Sequence, residues 1–183
     1  PEYFWTAPAT SSDRYHNQHA RGERGLWIHV AMAATALERV VDSHVEQGRL
    51  SDRQADLARA AVLLHDGRKY GDRWRHGQSA DRDHDLRMAD VVRRRGFPEP
   101  VARAIAAHMG PWYDGPEPST PLEQVVHQVD MTASARHVTP AVYDPPAELL
   151  EAQPDLPRCS PDAAAPRRDG RDADLAEFSG GGG

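Results

Sequence analysis

Cysteine, lysine and long apolar runs are nearly absent from this chain of 183 residues. Its one cysteine, Cys159, excludes an intramolecular disulfide and is consistent with a reducing cytosol, so we expect a cytoplasmic protein. No apolar run approaches the roughly 18 residues that a membrane helix requires. Residues 1–5 lack the basic-then-apolar order of a secretory signal, so we expect no membrane partner.

Basic charge is also limited. The net charge is −6, and most of the acidic excess lies in residues 141–183, which hold nine acidic and four basic side chains. Residues 1–140 are therefore close to neutral, and no broad basic surface is predicted that would bind long nucleic acid. Local arginine clusters could still bind single-stranded nucleic acid. Lys69 is the only lysine.

Helical periodicity is the main structural signal, and it predicts an all-α protein. Start and stop residues mark the helix ends: Gly48 closes the first helix, Ser51 caps the second, and Thr120-Pro121 opens the fifth. The predicted helices cover approximately residues 21–47, 52–66, 83–95, 99–108 and 121–137. We expect a bundle of five or six helices in residues 21–140, preceded by an irregular arm over 1–20. Residues 141–183, rich in Pro, Ala and Asp, are predicted to be disordered.

Ionisable side chains interrupt the apolar stripes of these helices. The inward positions are His29, His65, His84, His108 and Asp130, and Asp66 follows His65 directly. A single histidine on an apolar face is usually a hydrogen-bonded core residue. Several such groups aimed at one core are costly to bury unless a divalent metal compensates them, so the pattern favours a metal site inside the bundle.

The order of these residues resembles a known family. His29, then His65-Asp66, then Asp130 looks like the H…HD…D pattern of the HD-domain metal-dependent phosphohydrolases. The stretch from Leu63 to Lys69 is similar to the family's apolar-HD-x-x-K sequence. Gly96-Phe97-Pro98, before a helix that ends at His108, matches variants with two additional histidines. The resemblance covers about residues 20–138.

The resemblance implies a binuclear site in a helical bundle. One ion would be held by His29, His65, Asp66 and Asp130, and a second by His84 and His108 with Asp66 bridging. This donor set suits Mn, Fe, Co, Ni or Zn, and Mg remains possible. Two such ions lower the pKa of a bridging water and neutralise phosphate oxygens.

Other residues have expected roles that follow from this site. Asp66 and Lys69 are the candidate catalytic residues, and Lys69 is also placed to contact a substrate phosphate. Further candidates for phosphate contacts in the loop over residues 67–83 are Arg68, Arg73, Arg75 and His76, although a solvated charged loop explains each of them equally well. Trp112 and Tyr113 could stack on a base or simply pack at a rim. Besides His76, five histidines fall outside the pattern, namely His16, His19, His44, His127 and His137. Of these, His44 is expected to be buried and structural.

The most favoured function is hydrolysis of a phosphoester in a nucleotide or related small molecule. The chain lacks the GYP motif of the cyclic-dinucleotide branch and the acidic residues that follow HD in the alarmone branch. Lys69 stands where the deoxynucleotidase branch has Glu. Three alternatives stay open: a single-strand nuclease similar to the HD nuclease of CRISPR helicases, a di-iron HD oxygenase, and a binding module without catalysis.

Overall fold

The computed structural model describes residues 1–10 and 16–137. The predicted all-α class is confirmed, because the described residues form α-helices and short 3₁₀ helices and no strand. The α-helices are α1 (Gly25–Glu46), α2 (Asp52–Leu64), α3 (His84–Arg94), α4 (Glu99–Ala106) and α5 (Pro121–Ala133). The 3₁₀ helices span Glu2–Trp5, Gln18–Ala20 and Gly110–Trp112. The predicted tail, residues 141–183, lies outside the described residues.

Several helix ends are fixed by the residues that the sequence indicated. Ser51 and Gln54 form a capping box at the start of α2, and Thr120 and Glu123 form another at the start of α5. After α1, Gly48 has a φ of +67°, a conformation that glycine adopts without strain. Local side-chain chemistry therefore sets where these three helices begin or end.

Three predicted helices, α2, α4 and α5, end at least two residues earlier in the structure, α2 at Leu64 rather than at residue 66, and α1 begins at Gly25 rather than at about residue 21. We expected α4 to reach His108, but it ends at Ala106; its last turn is closed by the His108 imidazole, whose Nδ1 lies 2.7 Å from the Ile105 carbonyl oxygen. An imidazole N–H that donates to a carbonyl at the end of a helix replaces the backbone N–H that would bond to this carbonyl if the helix continued. We expected α5 to reach about residue 137, but it ends at Ala133, where the Ser134 carbonyl accepts the backbone N–H of His16 at 2.9 Å.

The apolar faces of the helices meet in one core. α2 packs against α1, α4 and α5, and α3 packs against α4. Representative core side chains are Leu37, Val62, Ile105 and Val126, each at most 1% exposed. Burial of each such side chain contributes about 1.5–3 kcal/mol. Val40, which we placed on the inward stripe of α1, is 37% exposed and lines a groove between α1 and α5, because Leu37 and Val41 occupy the inner face.

The N-terminal residues lie against the turn that follows α2. The Tyr3 hydroxyl donates to the Gly71 carbonyl at 3.0 Å and accepts the Tyr70 backbone N–H at 3.2 Å. The Tyr70 hydroxyl in turn donates to the Pro8 carbonyl at 2.7 Å. These bonds hold the start of the chain against the turn that carries Lys69. None of the helices in the described part of the chain combines the length and apolar character needed to cross a bilayer.

Candidate metal centre

Six of the sequence-predicted residues meet inside the bundle. His29 comes from α1, His65 and Asp66 directly follow α2, and His84 is the first residue of α3. His108 follows α4 by two residues, and Asp130 lies in the last turn of α5. Asp130 is 7% exposed and the other five are at most 1% exposed. The helices thus deliver four imidazoles and two carboxylates to one buried place.

The first group surrounds the Nε2 atoms of His29 and His65, which lie 3.2 Å apart. Asp130 Oδ1 is 3.0 Å from His29 Nε2 and 3.5 Å from His65 Nε2. Asp66 Oδ2 is 3.5 Å and 3.7 Å from the same two nitrogens. Four possible ligand atoms from three different parts of the chain therefore point at one another.

The second group uses the other oxygen of Asp66. Asp66 Oδ1 lies 3.1 Å from His84 Nε2 and 3.7 Å from His108 Nε2. The donor atoms of Asp66, His84 and His108 are close enough to one another to hold one ion. The same is true, separately, of His29, His65 and Asp66. Asp66 therefore stands between two histidine pairs and presents one oxygen to each.

Three of the four imidazoles share one orientation. Nδ1 lies 2.7 Å from the carbonyl oxygen three residues earlier in His65, His84 and His108. A carbonyl can only accept a hydrogen bond, so Nδ1 carries the proton and Nε2 keeps its lone pair in the neutral ring. This is how histidines that bind metals are usually held.

Whether a metal fits the second group can be judged from the hydrogen bonding of its polar atoms. Asp66 Oδ1, His84 Nε2 and His108 Nε2 are buried and make no hydrogen bond with the described residues. Unsatisfied buried polar atoms are destabilising, and a cation at this place would satisfy all three. Imidazole nitrogen with carboxylate oxygen is a donor set for borderline divalent ions such as Mn, Fe, Co, Ni and Zn. The residues therefore fit a divalent metal.

Lys69 is the charged neighbour of this cluster. Its Nζ lies 2.5 Å from Asp66 Oδ2, and the residue is 6% exposed. Burial raises the pKa of the Asp66 carboxyl, but the positive charge of Lys69 and the contacts with His65 outweigh burial and hold that pKa well below its usual range. Burial also raises the pKa of Asp130, but its close contacts with His29 and His65 outweigh burial and bring that pKa well below its usual range. Both carboxyls are thus ionised, as metal binding requires.

The pKa values of three clustered histidines are shifted, and not all in the same direction. Burial lowers the pKa of His29 and of His108 and favours the neutral imidazole that can bind a cation. Burial acts in the same direction on His65, but the carboxylates of Asp66 and Asp130 outweigh it and raise the pKa of His65.

The three predicted arginines lie in the loop that follows the cluster residue Asp66. Arg68 pairs with Asp72 on the surface. Arg73 and Arg75 line an open pocket of about 610 Å³ together with His76. Their contact with a substrate phosphate stays a prediction.

Of the two aromatic residues noted in the sequence, Tyr113 contacts the cluster and Trp112 is exposed to solvent. The Tyr113 ring packs edge-on against His84, with centroids 5.5 Å apart, and the Arg82 guanidinium lies 5.8 Å from the centre of the Tyr113 ring. Trp112 is 57% exposed. Tyr113 is therefore next to the second histidine pair, while Trp112 faces solvent.

Three polar residues near the cluster were not given a role from the sequence. His16 packs edge-on against His29, with ring centroids 4.8 Å apart. His127 Nδ1 lies 2.6 Å from the His108 carbonyl oxygen and so holds the backbone beside a predicted ligand. Asp85 is fully buried next to His84. Asp85 could have been noticed as a second acid at the start of α3, but nothing in the sequence around His16 indicates its position.

His44 is less buried than expected. It is only half-buried and lines the groove between α1 and α5 rather than the core. The reason is geometric: Val41, one turn earlier on α1, fills the inner face near the end of that helix.

Comparison with known proteins agrees with the resemblance that the motif carries. The HD domain family model matches residues 26–135, which is more than half of the chain and includes all six residues of the cluster. Searches of curated proteins and of solved structures found no significant match. The helical fold, the buried His/Asp cluster and the extent of this match show that the chain belongs to the HD domain family.

Proposed function

We propose that this protein is a metal-dependent phosphohydrolase that cleaves a phosphoester of a nucleotide or related small molecule. The observation that carries the proposal is the position of Asp66, whose two oxygens face different histidine pairs at 3.1–3.7 Å. A carboxylate shared by two histidine pairs would suit two ions held side by side, the arrangement that stabilises the attacking and leaving oxygens in phosphoester hydrolysis. Membership of the HD domain family supports the same reaction class.

The proposed ligands form two sets that share Asp66. His29, His65, Asp66 and Asp130 hold one ion, and Asp66, His84 and His108 hold the other. Mn, Fe, Co, Ni and Zn fit the donors, and Mg is an option with lower preference for imidazole. When bound, two such ions supply an activated water and neutralise charge on the phosphate oxygens.

Lys69 is the proposed catalytic partner of Asp66. Its ammonium group is held against Asp66 Oδ2, and its side chain keeps 8% exposure. The side chain of Asp130 is 10% exposed, whereas those of the four clustered histidines and Asp66 are at most 1% exposed. Substrate therefore approaches on the side of Lys69 and Asp130, where Lys69 can donate to a phosphate oxygen.

Two further groups are proposed to bind the rest of the substrate. Tyr113, in contact with His84, and the exposed Trp112 offer aromatic faces for a base. Arg73 and Arg75 in their open pocket, with Arg68 on the same loop, are proposed phosphate contacts. Cytoplasmic location stays a prediction.

The test is phosphate release from nucleoside mono-, di- and triphosphates after loading the protein with Mn²⁺, Co²⁺, Ni²⁺ or Zn²⁺ in turn. Hydrolysis should require metal and should be lost in Asp66→Asn with helix content unchanged. His137→Ala, at an exposed position, is the matched control and should retain activity. Full activity of Asp66→Asn would refute the assignment.

A single-strand nuclease is the second candidate, and the exposed Arg73 and Arg75 pocket is the observation that favours it. Such a pocket could follow a nucleic acid backbone. Single-stranded DNA belongs in the same assay panel. Cleavage of DNA without release of phosphate from free nucleotides would select the nuclease.

A further inference from the structure

His16 lies in an unusual backbone conformation outside the region that the family model matches. Its φ is +66°, in the left-handed region that side chains with a Cβ rarely adopt. The conformation is held from both sides: the backbone N–H donates to the Ser134 carbonyl at 2.9 Å, and the Arg21 guanidinium donates to the His16 carbonyl at 2.9 and 3.2 Å. Strain of this kind persists where the surrounding structure enforces it, and functional sites are a common place for it.

The side chain of His16 is aimed at the metal cluster. Its ring packs edge-on against His29 at 4.8 Å, and its Nε2 lies 3.3 Å from the hydroxyl of Ser134. Ser134 follows Asp130 by one helical turn, so His16 sits beside the carboxylate of the first group. Its other nitrogen, Nδ1, is buried and makes no hydrogen bond with the described residues.

The residues around the cluster differ in their exposure, and this difference bears on what Nδ1 of His16 can contact. His16 and Asp130 are each 7% exposed and Lys69 is 6% exposed, whereas His29, His65, Asp66, His84 and His108 are at most 1% exposed. His16, Lys69 and Asp130 are therefore more accessible to solvent than the five other donors. A pre-positioned donor without a partner is expected at such a place when the substrate itself is the partner.

We propose that His16 is a further substrate-binding residue, whose Nδ1–H donates a hydrogen bond to an oxygen of the bound phosphate group. The inference rests on the proposed phosphohydrolase function. This assignment makes the Ser134 hydroxyl, 3.3 Å from Nε2, the donor of their hydrogen bond, so that the single proton of the neutral ring is on Nδ1. The strained backbone and the Ser134 contact fix the direction of this donor before substrate arrives.

Two substitutions separate the donor from the backbone. His16→Gly keeps the positive φ without strain and removes the ring. His16→Asn also tolerates a positive φ, and its amide nitrogen takes about the position of Nδ1. The measurement is binding of inorganic phosphate to the Mn²⁺-loaded full chain by calorimetry, with Mn²⁺ content determined on the same samples.

Loss of this hydrogen bond in His16→Gly should weaken phosphate binding by about tenfold, with unchanged Mn²⁺ content. His16→Asn should remain within about threefold of the unsubstituted protein. If circular dichroism shows that His16→Gly loses helix, His16→Gln replaces it, since its amide nitrogen mimics Nε2 rather than Nδ1 and the same loss of phosphate affinity is expected.

Three results would overturn the inference. Equal phosphate affinity in His16→Gly and the unsubstituted protein would show that Nδ1 does not contact phosphate. Loss of Mn²⁺ from His16→Gly would mean that His16 serves the metal or supports His29. Failure of His16→Asn to restore affinity would exclude a donor at Nδ1. If the unsubstituted protein binds Mn²⁺ but neither binds phosphate nor hydrolyses any nucleotide, the proposed function fails first and this inference with it.

Discussion

The ammonium group of Lys69 lies 2.5 Å from Asp66 Oδ2, on the carboxylate that faces both histidine pairs. The two residues are three positions apart, on the turn that follows α2. A buried positive charge at this place competes with any cation that Asp66 binds, yet it also stands ready to contact an anionic substrate. These opposite effects give Lys69 a distinctive experimental signature.

Lys69→Met should raise the affinity for Mn²⁺ by about tenfold, because it removes a positive charge next to the proposed ions. The same substitution should lower kcat for phosphate release by about 100-fold, because the proposed contact with the phosphate is lost. Titration of Mn²⁺ and steady-state kinetics measure the two effects on one preparation. Arg53→Met, at an exposed position on α2, is the control and should change neither. Loss of Mn²⁺ affinity in Lys69→Met would contradict the expected competition.

Metal removal should destabilise the fold. Without a cation, buried polar atoms of Asp66, His84 and His108 have no hydrogen-bond partner among residues 1–10 and 16–137, and an ion that binds only the folded state adds stability by mass action. Tm should therefore rise with Mn²⁺ concentration and fall after chelation in the unsubstituted protein, as followed by circular dichroism. Asp66→Asn should show little dependence on Mn²⁺. A Tm that is independent of Mn²⁺ in the unsubstituted protein would speak against a folded-state metal site.

The bonds of Tyr3 to the turn after α2 should contribute to stability. Tyr3→Phe removes the acceptor of the buried Tyr70 N–H and the donor to the Gly71 carbonyl. The free energy of unfolding should fall by about 1–3 kcal/mol, because an N–H group is left buried without a partner. Urea denaturation measures it. Tyr113→Phe removes a hydroxyl that bonds to none of the described residues, and should change this free energy by less than about 0.5 kcal/mol.

Glu123 should make the fold sensitive to acid. Its carboxylate accepts hydrogen bonds from Ser119 and Thr120 at 2.8–3.1 Å and lies 3.0 Å from the Arg103 guanidinium. Burial raises the pKa of Glu123, but the backbone N–H of Ser119 and the other donors outweigh it, so its pKa in the folded state lies below the ordinary value of 4.5. The unfolded chain thus binds the proton more readily. The stabilisation is present above pH 4.5 and is lost as the pH falls through the folded-state pKa.

Glu123→Gln should lower the free energy of unfolding at neutral pH by about 1–2 kcal/mol, and that free energy should then fall less steeply between about pH 5 and 3 than in the unsubstituted protein. Urea denaturation at a series of pH values compares the two. Gln124, the exposed neighbour, provides the control substitution Gln124→Ala, which should leave the pH dependence unchanged. An unchanged slope in Glu123→Gln would show that this carboxylate does not couple folding to protons.

The meeting of His29, His65, His84 and Asp130 could be predicted because each sits on the same helical face as neighbouring core residues. Burying that face carries the polar group inward whatever the packing details are. The ends of α4 and α5 could not be predicted in the same way. They depend on which donor bonds to the last free carbonyls of the helix. At Ile105 the imidazole of His108 lies within hydrogen-bond distance of the carbonyl oxygen.

The position of His16 could not be predicted from helical periodicity. It lies in a segment without a helical repeat, and its position beside His29 depends on Ser134, which is 118 positions away in the chain. The arginines of the loop after Lys69 present the opposite problem. Their composition indicated phosphate contacts, but without periodicity the direction of Arg73 or Arg75 cannot be derived from sequence, and the structure places both at an open pocket.

The number of Mn²⁺ ions bound per chain at saturation shows whether the cluster holds two metal sites, with His108→Ala measured beside the unsubstituted protein. We expect two ions for the unsubstituted chain and one for His108→Ala, since that histidine belongs only to the second group. Failure of the unsubstituted chain to retain any ion, or equal numbers of ions in the two proteins, would contradict the proposal that Asp66 joins two metal sites.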